Sequence, residues 1–202
     1  MNTVRSIGLA SIASMCMSFL AAQAAAVTID FDRYPDGLAV PAGPSIGNQW
    51  ASLGVFFADR AGGAVTAVGS GCSLSAPNHV ASVVSGTIVA TFVDPASGSP
   101  GLTSSAGTAQ DLCWASGEGI AMRAYDKDGV LLASIFNSGA GNFSSFSFST
   151  PIIARIEMDP IGQGIDNFQF VFPVAVPLTA SLSLFVLGLT TLTYTTRRPS
   201  DA

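Results

Sequence analysis

The sequence predicts an all-β domain, an antiparallel β-sandwich or jelly roll, flanked by an N-terminal signal peptide and a C-terminal transmembrane helix. Charged residues make up only 10% of the chain, whereas Gly, Ser, Thr and Ala are abundant, which suits strands and tight turns better than helices. Short apolar runs recur between turn residues in the middle, with no sustained helical period. A long weakly polar stretch stands at each end. We therefore divide the chain into residues 1–26, 27–172 and 173–202.

Eight runs in the middle segment have the length and composition of strands. They are Val27–Phe31, Leu53–Phe57, Gly86–Val93, Ile120–Tyr125, Val130–Phe136, Phe143–Phe148, Ile152–Met158 and Ile165–Phe172. The sequence Asp126-Lys127-Asp128-Gly129 predicts a hairpin turn between two of these runs, because glycine readily supplies a positive φ. The Gly-, Ser- and Pro-rich residues 95–108 are predicted to form one long loop.

The first 26 residues have the pattern of a secretory signal peptide. Arg5 supplies the positive start, and Ile7–Leu20 supplies the apolar segment. Small residues follow, and Ala22-Gln23-Ala24 or Ala24-Ala25-Ala26 fits the cleavage rule. The chain is therefore expected to be exported.

Cysteine usage is consistent with export. Cys16 lies in the signal peptide, which leaves Cys72 and Cys113 in the mature chain. In an oxidising compartment the simplest expectation is one disulfide between them, worth about 4 kcal/mol in the chain-entropy model. The alternative is a pair of buried free thiols.

Residues 174–194 form the second long weakly polar stretch, and Arg197 and Arg198 follow it. The length suits a bilayer span, and the arginines would hold the C-terminus in the cytoplasm. A membrane partner is therefore expected for this tail.

The tail resembles the PEP-CTERM sorting signal of Gram-negative bacteria. The resemblance rests on Val176, Pro177 and Leu178, an apolar helix containing Gly188, and the terminal Arg197-Arg198. Pro177-Leu178-Thr179 stands where the family has Pro-Glu-Pro, nearer to a Val-Pro-Leu variant. The likeness implies processing by an exosortase-like enzyme in an organism that makes extracellular polysaccharide. The same segment partly echoes the Leu-Pro-x-Thr-Gly signal of sortases, and both imply a place outside the cytoplasmic membrane.

The middle segment is also similar to β-sandwich domains that precede such tails. The likeness rests on four short segments, and it implies a fold and a location rather than an activity. These segments are Ile29-Asp30-Phe31-Asp32, Pro35-Asp36-Gly37, Trp50–Val55 and Gly164–Phe168.

Candidate catalytic groups are few. His79 is the only histidine, and Gly43-Pro44-Ser45-Ile46-Gly47 formally matches a nucleophile elbow. That elbow needs a strand before it and a helix after it, whereas prolines and glycines here favour a loop. Glu157 and Asp159 share one face of a predicted strand, where exposed solvated carboxylates are the commoner case. We therefore predict no catalysis and keep a secreted hydrolase as a distant alternative.

Acidic residues of the first and last strands suggest a structural Ca²⁺. These strands are neighbours in many jelly rolls, and Ca²⁺ takes carboxylate and carbonyl oxygens. The candidate ligands are Asp30, Asp32, Asp159 and Asp166, with Asp36 close to the first two. The alternative is a set of exposed acids at the ends of the sheets.

Trp50 and Trp114 are the candidate carbohydrate contacts, because flat aromatic faces stack on sugar rings. Core packing is the alternative for both, and Trp114 directly follows Cys113. A formal charge of -5 argues against nucleic acid as a partner. The sequence thus predicts a non-enzymatic β-sandwich of the cell surface or extracellular matrix. The alternative is a module of the same fold that binds exopolysaccharide.

Overall fold

The computed structural model describes residues 24–69, 73–75, 77–82, 86–110, 119–139, 141–160 and 164–173. These residues contain a short 3-10 helix, Ala51–Leu53, and strands that we number in chain order. The strands are β1 Ala24–Ile29, β2 Ser45–Ile46, β3 Val55–Asp59, β4 Val65–Gly69, β5 Asn78–Ser82, β6 Ile88–Phe92, β7 Ser105–Gln110, β8 Ile120–Tyr125, β9 Leu131–Asn137, β10 Phe143–Ser147, β11 Arg155–Pro160 and β12 Ile165–Pro173.

The strands form two antiparallel sheets, which confirms the predicted all-β class. The seven-stranded sheet has the order β10-β7-β12-β5-β4-β2, and β1 pairs with β12. The five-stranded sheet has the order β3-β6-β11-β8-β9. The first and last strands are neighbours, with Ala24 opposite Pro173 and Ile29 opposite Phe168.

The core lies between the inner faces of the two sheets. Strand β3 of the smaller sheet alternates between buried and half-buried residues, as do the first four residues of β4 in the larger sheet. Each sheet therefore presents alternate side chains to the other. Phe57 of the smaller sheet packs edge-on against Phe168 of the larger one, with ring centroids 5.2 Å apart. Phe92 contacts both Phe168 and Phe170 across the same interface. Each such buried ring contributes about 1.5–3 kcal/mol, so these contacts hold the two layers together.

All eight predicted strands are present, with ends shifted by a few residues. Four further strands, β2, β4, β5 and β7, were not predicted. The expectation of one loop over residues 95–108 is wrong, because β7 begins at Ser105 and lies between β10 and β12. Phe31 was expected to end the first strand, but its φ of 61° takes it out of the sheet.

The predicted hairpin turn between β8 and β9 is confirmed. One oxygen of Asp126 accepts hydrogen bonds from the backbone N–H groups of Asp128 and Val130, at 2.9 and 2.8 Å. Gly129 has the expected positive φ, 80°.

Residues 1–23 and 174–202, which hold most of the predicted signal peptide and tail, lie outside the described residues. Within the described ranges, no helix has the length and apolar character that a bilayer crossing requires.

Candidate functional site

The junction between the first and last strands departs from regular sheet geometry. Phe31, just after β1, and Asn167, in β12, have φ values of 61° and 50°, the left-handed region that non-glycine residues seldom adopt. The pairing register of β12 with β7 also shifts between Asp166 and Gln169. These deviations accompany the close approach of Asp30, Asp32 and Asp166, which sequence alone placed on neighbouring strands.

Asp166 is fully buried, and its carboxylate is surrounded by donors. It accepts the backbone N–H of Ser75 at 2.8 Å, the Ser75 hydroxyl at 3.0 Å and the N–H of Asn167 at 2.7 Å. Burial raises the pKa of the Asp166 carboxyl, although these hydrogen bonds act in the opposite direction. The carboxylate therefore attaches residues 73–75 to the start of β12.

Asp32 fastens the next part of the same loop. Its carboxylate accepts the backbone N–H of Asn78 at 2.8 Å, and the buried amide of Asn78 donates to two backbone carbonyls. Burial raises the pKa of Asp32, the nearby charges of Asp30 and Asp166 raise it further, and the Asn78 hydrogen bond lowers it. Asp30 in turn accepts the N–H of Asp32 at 3.0 Å. The three carboxylates thus serve as hydrogen-bond acceptors for the backbone.

Three of the four candidate calcium ligands lie together, and the fourth does not. Asp159 belongs to the five-stranded sheet, where Thr87 and Arg123 donate to its carboxylate. Its assignment to the same site is therefore wrong. Among the described residues there is no group of three or more His, Cys, Asp or Glu side chains arranged to hold a metal ion. Calcium binding by Asp30, Asp32 and Asp166 stays a prediction, and the ion would have to share oxygens with their backbone donors.

Trp50 is a core residue. It is 1% exposed and packs edge-on against Phe31 and Phe57, with centroids 5.5 and 6.0 Å away. Its assignment as a carbohydrate contact is therefore wrong, because neither face of the ring is open to a ligand.

Trp114, and the predicted disulfide partners Cys72 and Cys113, lie outside the described residues. The disulfide stays a prediction.

A shallow open groove of about 500 Å³ lies beyond Trp50. Its lining consists of Tyr34, Pro35, Asp36, Gln49 and Ser52. The half-buried Tyr34 ring packs on Trp50, with ring centroids 5.7 Å apart. Contact with the core thus fixes an aromatic ring beside the amide of Gln49, the hydroxyl of Ser52 and the carboxylate of Asp36. Sequence reasoning missed Tyr34. The sequence Tyr34-Pro35-Asp36-Gly37 could have indicated it. Pro, Asp and Gly predict a turn at the surface, and an aromatic residue in such a turn is partly exposed.

The hydrolase pattern lacks its required framework in the part of the chain that is described. Ser45 lies in the two-residue strand β2, which pairs with β4, rather than at a turn from a strand into a helix. The backbone of His79 lies in β5, opposite Val68; its side chain lies outside the description. The structure thus shows no nucleophile elbow at residues 43–47.

Glu157 and Asp159 share the outer face of β11, as their spacing predicts. They are ion-paired rather than simply solvated. Arg123 contacts both carboxylates, and Arg155 and Arg60 also approach Glu157, at 3.4 and 3.8 Å. Sequence reasoning did not foresee these arginines. Arg60 and Arg123 lie on two other segments of the chain, and Arg155 lies two residues before Glu157 on the same strand.

Comparison with known proteins gives one distant likeness. No protein-family model matches the chain, and no curated protein matches it. Among solved structures, the chain is similar to the family 32 carbohydrate-binding module of C. perfringens NanJ, in complex with galactose. The TM-score is 0.30 and the identity 12%, over 74% of this chain and 93% of that chain. The superposition is too loose to support an inference about a ligand.

Proposed function

We propose that this chain is an exported, non-catalytic β-sandwich protein of the cell surface or extracellular matrix. Its tail, residues 173–202, would be sorted by a PEP-CTERM and exosortase-like system. The observation that carries the non-catalytic part is the use of the carboxylates of the buried Asp166 and the half-buried Asp32. Asp166 and Asp32 hold backbone N–H groups at hydrogen-bonding distance, so their oxygens are engaged in maintaining the fold rather than available to a substrate.

The pairing of the first and last strands supports a domain that is attached through its C-terminus. Val27 lies opposite Phe170, so a mature chain that begins at residue 27 starts beside the strand that leads to the tail. Such an arrangement suits an exported domain that a sorting segment tethers.

The test follows the full-length protein in its host by cell fractionation and intact mass, beside a version that ends at Val176. We expect the wild type to lack both terminal segments and the shortened protein to be lost from the surface. A mature chain that retains Arg197-Arg198 and stays in the inner membrane would contradict sorting, since the tail would then be a simple anchor.

Carbohydrate recognition is the second candidate, and the Tyr34 groove is the observation that favours it. A ring fixed against Trp50 can stack on a sugar, while Gln49, Ser52 and Asp36 offer groups that bond its hydroxyls. Tyr34→Ala should abolish retardation of the protein in gels that contain the host's exopolysaccharide. The matched control is Phe143→Ala, which removes an aromatic ring that is 44% exposed on β10. Equal retardation of wild type and Tyr34→Ala would exclude the groove.

A further inference from the structure

The outer face of the five-stranded sheet carries side chains in cross-strand rows, because directly opposed residues of an antiparallel pair project to the same side. One row consists of Phe56, Thr91, Arg155, Tyr125 and Leu131. The next consists of Ala58, Val89, Glu157, Arg123 and Ser134. A third contains Asp159, Ala121 and Phe136. In these rows only Glu157 is buried, so the face is open to solvent.

Three arginines surround the Glu157 carboxylate in the middle of this face. Arg155 Nη2 lies 3.4 Å, Arg123 Nε 3.7 Å and Arg60 Nη1 3.8 Å from its oxygens. They are three of the four arginines between residues 27 and 172. We call Arg60, Arg123, Arg155 and the Glu157 between them the arginine face.

The arginine face has more hydrogen-bond donors than its own carboxylates can take. A guanidinium carries several N–H donors and no acceptor, and Tyr125 also donates its hydroxyl to Glu157 at 3.2 Å. Arg155 Nε is buried and has no hydrogen-bond partner among the residues that the structure describes. With Asp159 included, three cationic groups meet two anionic ones, which leaves a positive charge on a chain whose formal net charge is -5.

Aromatic side chains stand beside this charge. The Arg155 guanidinium lies 4.4 Å from the centroid of the Tyr125 ring, which holds both groups in place. Phe56 is half-buried on β3, and Phe136 is 60% exposed on β9. Rings on the outer strands therefore flank the guanidinium groups at the centre.

We propose that the arginine face binds a carboxylate-bearing polysaccharide. Its uronate groups would pair with Arg60 and Arg155 in the fork geometry that guanidinium favours, and its sugar rings would lie along the flanking aromatics. A saccharide fits better than an acidic peptide, because a peptide adds as a strand at a sheet edge. These edges are β3 and β9, whereas the charge centre lies on β11. The inference goes beyond the proposed function and does not depend on the Tyr34 groove.

The test uses the mature protein purified from its host and polygalacturonate as the probe. Fully methyl-esterified polygalacturonate is the matched ligand control, because it keeps the sugar backbone and loses the charge. Isothermal titration should show binding to the free acid, and esterification should weaken it about tenfold or more. Added salt should weaken it as well. Equal affinity for both polymers, or no binding to either, would overturn the proposal.

Two variants assign that binding to the arginine face. Arg60→Ala removes a side chain that is 58% exposed and whose ion pair with Glu157 is long, at 3.8 Å. We therefore expect normal folding and about tenfold weaker binding. Arg33→Ala makes the same change at an exposed arginine that donates to the Gly37 carbonyl and lies outside the arginine face, and its affinity should equal the wild type's. Equal affinities of the two variants would overturn the proposal.

Two further arms separate the alternatives. Loss of polygalacturonate binding in Tyr34→Ala but not in Arg60→Ala would place the saccharide in the groove, which overturns the arginine face and leaves the second candidate function standing. Polyglutamate is the peptide probe, and binding as tight as that of polygalacturonate would overturn the choice of a saccharide.

Arg155→Lys keeps the charge but loses the planar fork, and it should weaken polygalacturonate binding without unfolding the sheet.

Discussion

Ser75 donates both its backbone N–H and its hydroxyl to the Asp166 carboxylate, at 2.8 and 3.0 Å, although 91 positions separate the two residues. The contact ties the loop before β5 to the start of β12. Strand β12 pairs with β1, β5 and β7, so a loop attached to it is attached to the middle of the larger sheet. Asp166 therefore connects the loop to the strand that leads towards the C-terminal tail.

Replacing Asp166 with Asn should destabilise the protein by about 1–3 kcal/mol, since a buried N–H donor that loses its acceptor costs that much. The amide nitrogen of Asn is a donor, and it would face an N–H of Ser75 or Asn167. Urea denaturation gives the change in the free energy of unfolding. Asp36→Asn is the control, because Asp36 is exposed and accepts the N–H of Leu38, its neighbour in the same turn. An equal loss of unfolding free energy in the two variants would show that the buried hydrogen bonds of Asp166 stabilise the protein no more than an exposed one.

The free energy of unfolding should depend on pH through the ionisation of Asp166. Burial raises its folded pKa above the ordinary value of 3.8, so between these values the folded state binds more protons than the unfolded one. The contribution of this group is then fully present below the unfolded pKa and is lost as pH rises through the folded pKa. In EDTA, we expect Asp166→Asn to cost more stability at about pH 3.5, below the unfolded pKa, than at about pH 7.

The same measurement tests the calcium prediction. A calcium ion bound by Asp30, Asp32 and Asp166 would favour their ionised forms and lower their pKa values. With calcium chloride in place of EDTA, the sign of the pH effect should then reverse, and the melting temperature of the wild type should rise. An unchanged melting temperature and an unchanged sign would exclude a structural calcium ion at this junction.

The strands that sequence reasoning found and missed differ in side-chain size. The eight predicted strands carry large apolar or aromatic residues, whereas β7 reads Ser-Ala-Gly-Thr-Ala-Gln and looks like a loop. Its burial comes from β10 and β12 on either side, which no local pattern reveals. Small residues are required there, because strand neighbours crowd the position of Gly107.

The candidate site was predictable only as far as strand order was. Asp30, Asp32 and Asp166 meet because the first and last strands pair, which the fold class implies. Asp159 fails because β11 belongs to the other sheet, and local sequence does not encode the sheet to which a strand belongs. Trp50 is buried by its contacts with Phe31 and Phe57 on other segments. Sequence alone left that open.

Burial of Trp50 gives a direct spectroscopic prediction. In a Trp114→Phe background, the remaining fluorescence should be blue-shifted and little affected by iodide, because Trp50 is enclosed by Phe31, Phe57 and Tyr34. Addition of exopolysaccharide should leave its quenching by iodide unchanged. A red-shifted emission that iodide quenches strongly would place the ring at the surface and restore it as a carbohydrate contact.

Gly107 should not tolerate a side chain. A Cβ at this position would lie 2.4 Å from the Ser144 carbonyl oxygen and 2.6 Å from the Ser145 Cβ, so Gly107→Ala must separate β7 from β10. We expect a loss of about 1–3 kcal/mol, as for overpacking elsewhere.

Gly47→Ala is the matched control for that substitution, because its Cβ would meet only the Phe57 carbonyl oxygen, at 3.7 Å. It should be neutral or stabilise by less than about 1 kcal/mol. Urea midpoints compare the two variants, and hydrogen exchange locates the damage. Since β10 is the outer strand of its sheet and pairs only with β7, the amides of residues 143–147 should exchange faster in Gly107→Ala, while those of β12 keep most of their protection. Equal midpoints and unchanged exchange would mean that β7 and β10 lie farther apart than the structure places them.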